Sequence, residues 1–251
     1  MPSQKLNRGS FKIPDKNEVY VFAFDLIAGL NCLKEFETFL SNEEIVKANR
    51  FHFEKDKNNY IISHGILRKI LSLLLSVKPS EINFGTNEYG KPFVQNPSNV
   101  QFNISHSKEK LLLAVSREVP VGVDIEFMNV EFASGDIAQN FFSPVEIQKL
   151  NKLEDDKLTE GFYNCWTRKE AFIKGIGKGL SIPLDSFDVE LTPGLKPEIL
   201  DVRFDKSENG KWELVNLDIY GEYKSALSVK MKMLKIELFK LENCCEVLSY
   251  T

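Results

Sequence analysis

The stretch FYNCWTRKEAFIKGIGKGL, residues 162–180, limits the folds this chain can adopt. At 3.6 residues per turn, Phe162, Cys165, Trp166 and Ile173 fall on one stripe of a helix, with Lys169 near its middle and Glu170 at its margin. Such a stripe has to pack against another element, and Gly175, Gly177, Gly179 and Pro183 mark where the helix stops. Lysine is rarely buried unless something compensates its charge, so Lys169 raises the question of its counter-ion. Glu170 and Lys174 stand four apart with the acid first, the favourable order for a helical pair. On a surface such a pair contributes only a few tenths of a kcal/mol. GIGKG resembles a phosphate loop, but it follows a helix instead of preceding one and reads as helix termination.

Upstream of this helix, VPVGVDIEF (119–127) reads as a strand. Its side chains alternate, so Val121, Val123, Ile125 and Phe127 share one face while Gly122, Asp124 and Glu126 share the other. A half-buried strand with a solvated face has the same pattern. Alternatively, the two carboxylates converge on one cation, and all-oxygen ligands favour a hard ion such as Mg²⁺. Between strand and helix, Ser143, Pro144 and Glu146 form a capping-box signature.

The same order occurs earlier in the chain. VYVFAF (19–24) reads as a strand, Ser41 and Glu44 as a capping box, and Ile62, Ile66, Ile70, Leu73, Leu74 and Val77 as the apolar stripe of a helix from about Asp56 to Val77, closed by Pro79. The two capping serines are 102 residues apart. This predicts an α+β fold of two pseudo-symmetric α/β halves, 1–117 and 118–251, joined near Arg117. After Phe187, WELVNLDIY and SALSVKMKM read as strands, and the last dozen residues as helix or tail. VQFNISHSKEKLLLAVS (100–116) reads as two strands with Ser105, His106 and Ser107 in the turn between them. Their hydroxyls and imidazole either cap that turn or donate to phosphate oxygens. No G-x-S-x-G elbow surrounds either serine, which argues against a serine nucleophile.

Composition bounds the partners. The 251 residues are 43% hydrophobic, enough for a sizeable core, and a formal charge of −4 gives no general attraction to nucleic acid or anionic membrane. The start MPSQKLNRGSFKIPDKNE is polar and carries no export signal, and no apolar run has the length of a membrane span. Cys32, Cys165, Cys244 and Cys245 form neither a CxxC pair nor a disulfide-scaffold spacing, so a reducing cytoplasm is the expected location.

EYGKP (88–92), FNISHS (102–107), GVDIE (122–126), FFSPVE (141–146) and WTRKEAFIKGIGKGLSIPLDSF (166–187), in this order and spacing, resemble the signature blocks of the Sfp-type 4′-phosphopantetheinyl transferases. The resemblance runs from about Ser41 to Val189. It implies two α/β halves with coenzyme A and Mg²⁺ in the cleft between them, and transfer of phosphopantetheine to a serine of an apo acyl or peptidyl carrier protein. Carried over by position, Asp124, Glu126 and Glu170 would hold Mg²⁺. Glu170 would act as general base, Lys174 would stabilise or protonate the departing phosphate, and Lys169 would bind the pyrophosphate. Lys91, Ser105 and His106 would bind coenzyme A. In the helix around residues 41–60 similar enzymes carry several basic residues; here Glu44, Asn59 and Tyr60 stand in that segment and only Lys47 keeps a basic contact. The expected enzyme is a cytoplasmic monomer that binds neither nucleic acid nor membrane. The competing readings are another Mg-dependent phosphate-ester enzyme, such as a phosphohydrolase, and a non-catalytic carrier-binding module. The latter fits poorly with three retained acids.

Overall fold

A strand as apolar as VYVFAF needs cover on both faces, and the architecture supplies it. The computed structural model describes residues 11–250 apart from 97, 134 and 233, so most of the polar opening stretch lies outside the described residues. β1 (Glu18–Asp25) is followed by the short helices α1 (Leu26–Gly29), α2 (Leu33–Glu37) and α3 (Asn42–Ala48), then the long helix α4 (Glu54–Leu75). The hairpin β2 (Phe84–Thr86) and β3 (Pro92–Val94) leads to β4 (Val100–Ser107) and β5 (Lys110–Arg117). The second half repeats the order: β6 (Val121–Phe127), α5 (Gly135–Phe141), α6 (Pro144–Leu150), then α7 (Asp155–Ile176), as long as α4. β7 (Phe187–Val189), β8 (Ile199–Val202), β9 (Glu213–Asn216), β10 (Tyr223–Val229) and β11 (Lys235–Leu241) complete it.

One sheet has the order β11-β1-β5-β4 and another β6-β10-β9. Period-two alternation sends Tyr20, Phe22 and Phe24 of β1 towards Ile62, Ile66 and Ile70 of α4. Val19, Val21 and Ala23 point the other way and join Val121, Val123 and Ile125 of β6 in a core shared by both sheets. α7 packs on the outer face of β6 and β10. Gly122 allows this packing: a Cβ there would lie 2.0 Å from the carbonyl oxygen of Ala171 and 2.3 Å from the amide of Gly175. Both capping boxes form, Ser41 with Glu44 and Ser143 with Glu146. Gly177 ends α7 in the left-handed conformation (φ 82°).

Three expectations need correction. Ser105, His106 and Ser107 are strand residues of β4, and the turn is made by Lys108 and Glu109. The division at residue 117 does not hold to the C-terminus, because β11 runs parallel to β1 and joins the sheet of the first half. The cysteines are not all free: Cys32 and Cys245 are bonded across 213 residues, while Cys165 and Cys244 are free and buried. A spacing rule misses a pair that the returning strand brings together. The C-terminal residues Cys244–Ser249 form a 3-10 helix.

Candidate active site

The site lies where β4, the edge of the first sheet, meets β6, the edge of the second. No backbone ladder joins these strands; instead, alternate side chains of β4 reach across. Asn103 Oδ1 accepts from the Val123 amide (2.8 Å), Ser105 Oγ donates to Asp124 Oδ1 (2.9 Å), and Ser107 Oγ donates to Glu126 Oε2 (2.8 Å). Ser107 Oγ also accepts from the Phe127 amide (3.1 Å), so its own hydrogen is left for Glu126. Ser105 and Ser107 therefore hold the two carboxylates. Asn103 was missed in the sequence, although its alternation with 105 and 107 marks it.

α7 supplies the rest. Because Gly122 lets the helix backbone approach β6, Lys174 reaches Asp124 Oδ1 (2.5 Å) and Ser105 Oγ (3.2 Å). The expected Glu170–Lys174 pair is thus replaced, as the direct contact, by Lys174 and Asp124. Burial opposes the charge on Lys174, but Asp124, Glu170 and Glu126 outweigh it and raise its pKa, so it stays an ammonium ion. Burial, and then the neighbouring Asp124, push Glu126 up to about 7 and raise Glu170. Asp124 is 1% exposed.

Among the described residues, no three acidic, histidine or cysteine side chains are gathered as a ready metal cluster. The donor set nevertheless fits a hard divalent cation. Asp124 Oδ2 is buried without a hydrogen-bond partner among the described residues, and burial together with the Asp124 charge raises the pKa of both Glu126 and Glu170, which disfavours their ionised forms. An added cation relieves both.

Two expected ligands sit elsewhere. Lys169 is fully buried, 0% exposed; its ammonium is ion-paired with Glu146 Oε2 (2.8 Å) and donates to the Leu184 carbonyl (2.7 Å) and the Phe187 carbonyl (2.6 Å). Its counter-ion is the capping-box glutamate, which leaves no donor for a pyrophosphate. Lys91 Nζ donates to the carbonyls of Val121 (3.1 Å) and Gly175 (3.0 Å), and burial lowers its pKa to about 8. It ties the β2–β3 hairpin to β6 and the last turn of α7.

His106 points to the opposite side of β4 from the serines. Solvent still reaches the ring at the cleft mouth, while the surrounding protein, then the charges of Lys174 and His64, lower its pKa. His64 also lines a cavity of about 540 Å³, with Lys47, Tyr60, Phe84, Gly90 and Ile104 among the others, so charges of both the carboxylate cluster and this cavity's wall reach His106. In that cavity Tyr60 and His64 stack (centroids 4.0 Å apart) and Lys47 lies 5.4 Å from the Tyr60 ring centre. Glu44 does not oppose an anion there as a free charge. His64 Nδ1 (2.9 Å) and Arg68 Nε (2.7 Å) bind it, and although burial opposes ionisation, these contacts lower its pKa to about 2.

Residues 120–228 match the family described as the 4′-phosphopantetheinyl transferase superfamily, and residues 31–118 match the 4′-phosphopantetheinyl transferase N-terminal family. A 4′-phosphopantetheinyl transferase of Bacillus subtilis is 41% identical over 152 residues, 61% of this chain and 66% of that protein. 4′-Phosphopantetheinyl transferase Sfp of Bacillus subtilis strain 168 is 39% identical over 158 residues, 63% of this chain and 69% of that protein. 4′-Phosphopantetheinyl transferase HetI of Nostoc sp. PCC 7120 is 32% identical over 180 residues, 70% and 76%. The aligned stretch spans about two-thirds of the first of these relatives.

Proposed function

This chain belongs to the 4′-phosphopantetheinyl transferase superfamily as an Sfp-type enzyme, and we propose that it moves the phosphopantetheine arm of coenzyme A onto a serine of an apo acyl or peptidyl carrier protein. The products are the holo carrier and adenosine 3′,5′-bisphosphate. The observation that carries this reading is the meeting of Asp124, Glu126 and Lys174 at the seam of β4 and β6, with Glu170 close enough to feel the charges of Asp124 and Lys174, together with a cavity lined by aromatic rings and Lys47.

The carrier serine oxygen forms a bond to the phosphorus that carries the pantetheine, and the bond from that phosphorus to the bridging oxygen of the pyrophosphate breaks. Such a transfer depends mainly on positioning and charge neutralisation. Glu170 accepts the serine proton, directly or through a water; its raised pKa brings it closer to the working range of a general base. Lys174 stays charged beside Asp124 and stabilises the negative charge that builds on the departing phosphate. Ser105 and Ser107 hold Asp124 and Glu126 in place, and His106 faces the phosphates. Asp124, Glu126 and Glu170 would hold Mg²⁺, which when bound supplies charge neutralisation at the pyrophosphate. Lys47 and the Tyr60–His64 stack receive the nucleotide end of coenzyme A.

The groups proposed to bind and react need no residue from a second copy, and we take the enzyme to act as a monomer. Among the described residues no helix is long and apolar enough to cross a membrane, and the Cys32–Cys245 bond removes the cysteine argument for a reducing cytoplasm. Intact-mass measurement of several apo carrier proteins with coenzyme A and Mg²⁺ tests the reading. One phosphopantetheine per modified carrier is expected. A broad panel left unmodified while simple phosphate esters are hydrolysed establishes the phosphohydrolase instead.

A further inference from the structure

Lys169 precedes Glu170 in the chain, yet its side chain points away from the carboxylates. Its ammonium donates to the Leu184 and Phe187 carbonyls and is ion-paired with Glu146, with the Phe187 ring 4.3 Å from the charge. Glu146 is held on both oxygens: Oε2 accepts from the Ser143 amide (2.8 Å) and pairs with Lys169, and Oε1 accepts from the Val189 amide (2.8 Å). One ion pair therefore joins the start of α6, the middle of α7 and the segment from Leu184 to Val189.

The first half contains the same joint. Its capping-box glutamate, Glu44, binds a cation on the following long helix, Arg68, and Arg68 donates to the carbonyls of Pro79 and Ile82 just beyond that helix (2.9 Å each). Both cations are buried, Arg68 at 3% exposure and Lys169 at 0%. A charge held this way in the half that lacks the carboxylates has no need of a substrate phosphate.

We propose that Lys169 is a positioning residue, which with Glu146 fixes the rotation of α7 so that Glu170 and Lys174 face Asp124. Successive helix residues are about 100° apart, so a residue locked outward at 169 sets the direction in which 170 points. Turning the helix by a fraction of a residue swings both catalytic side chains together, and a displacement of about 1 Å is enough to cost about 100-fold in rate. The proposal rests on the transferase reading.

The test compares Lys169→Met, Glu146→Gln and the two combined, in steady-state phosphopantetheine transfer with melting curves recorded alongside, at a temperature where each protein is folded. Expected are a fall in kcat of about 100-fold for Lys169→Met, a fall of the same kind for Glu146→Gln, and KM for coenzyme A within about threefold of wild type, since neither group touches substrate. The double variant leaves no uncompensated buried charge and should recover kcat at least about tenfold over Lys169→Met. If Lys169→Met fails to accumulate, Glu146→Gln and the double variant decide the question, because a glutamine in place of Glu146 still accepts from the Val189 amide through its carbonyl oxygen. A KM for coenzyme A raised more than tenfold by Lys169→Met alone, with no rescue in the double variant, overturns the proposal in favour of a phosphate ligand. Unchanged kcat in every folded variant overturns it in favour of a purely structural pair. Wild-type enzyme that modifies no carrier defeats the transferase reading itself, a different outcome from either.

Discussion

The two halves of this molecule use one scaffold for opposite ends. Counting from capping serines 102 residues apart, Phe22 and Phe24 of β1 occupy the positions that Asp124 and Glu126 occupy on β6. In the first half the strand meets its long helix through apolar packing: Phe22 and Phe24 are fully buried in a core with Ile62, Ile66 and Ile70. In the second half the same face of the strand carries acids, and the helix answers with Glu170 and Lys174. What stays constant is the joint between capping-box glutamate and helix cation. The scaffold is therefore set by features outside the active face, which leaves that face free to carry groups that repel one another. Active sites commonly sacrifice stability in this way.

The largest effect that can break this comparison is expected at Asp124. Asp124→Asn keeps the shape of the side chain but removes the charge that binds Lys174 and would draw in the metal. Turnover should fall by about 1000-fold or more, on the scale of losing a principal electrostatic group of a transition state. The melting temperature of the metal-free protein should stay within a few degrees, because the substitution also relieves repulsion on Glu126 and Glu170. Kinetics and thermal melting on the same preparation check both halves of the statement. A variant with near-wild-type turnover removes Asp124 from the site, and one that loses its fold makes this strand face as structural as that of β1.

Arg68→Met sharpens the shared part. Removing one partner of a buried pair leaves the other charge uncompensated, and here Glu44 keeps His64 and the Ser41 amide but loses its guanidinium, while the carbonyls of Pro79 and Ile82 lose the Arg68 donor. A loss of about 3 kcal/mol in urea unfolding is expected, similar to that for Lys169→Met. A loss under about 1 kcal/mol would show that the two joints resemble each other in geometry but not in energy.

Much of this was legible in the sequence, for local reasons. Capping boxes, helix stops and strand alternation depend on residues a few places apart, and so the strand–helix order of both halves, the Asp124–Glu126 face and the Glu170–Lys174 edge of α7 could be read directly. What was misread depends on distant partners. Lys169 looked like a ligand because its burial demands an anion; the sequence shows that demand but not that Glu146, 23 residues earlier, meets it. Ser105 and Ser107 looked like turn residues because polarity marks turns, whereas here it marks a strand edge facing another strand edge. Gly122 carried a visible signal, a lone glycine in an apolar strand, which points to close backbone approach. β11 and the Cys32–Cys245 bond had none, since pairing across more than 200 residues leaves no local trace.

The smallest effect concerns pH, and it separates the two capping-box halves from the acidic face. Glu44 has its pKa lowered to about 2, so its contribution to stability is present above the unfolded value of 4.5 and is lost only as pH falls towards 2. Glu126 behaves in the reverse sense. Its folded pKa of about 7 lies above the unfolded 4.5, so its contribution is fully present below about 4.5 and is lost as pH rises through about 7. Between pH 5 and 8 Glu44 is therefore constant, while Glu126 makes the metal-free protein less stable as pH rises. His106, with its pKa lowered, acts in the opposite direction over part of this range, so the contribution of Glu126 has to be taken as a difference between two proteins. Wild type and Glu126→Gln, each melted in chelator across this range, provide that difference. The stability of Glu126→Gln relative to wild type should grow by a few degrees from pH 5 to pH 8, because glutamine carries no charge to accommodate beside Asp124. Added Mg²⁺ should shrink the gap by stabilising the ionised carboxylate of the wild type alone. A difference that stays flat with pH in chelator would mean that Glu126 is already ionised without strain, and that the acidic face of β6 stores no more repulsion than the apolar face of β1.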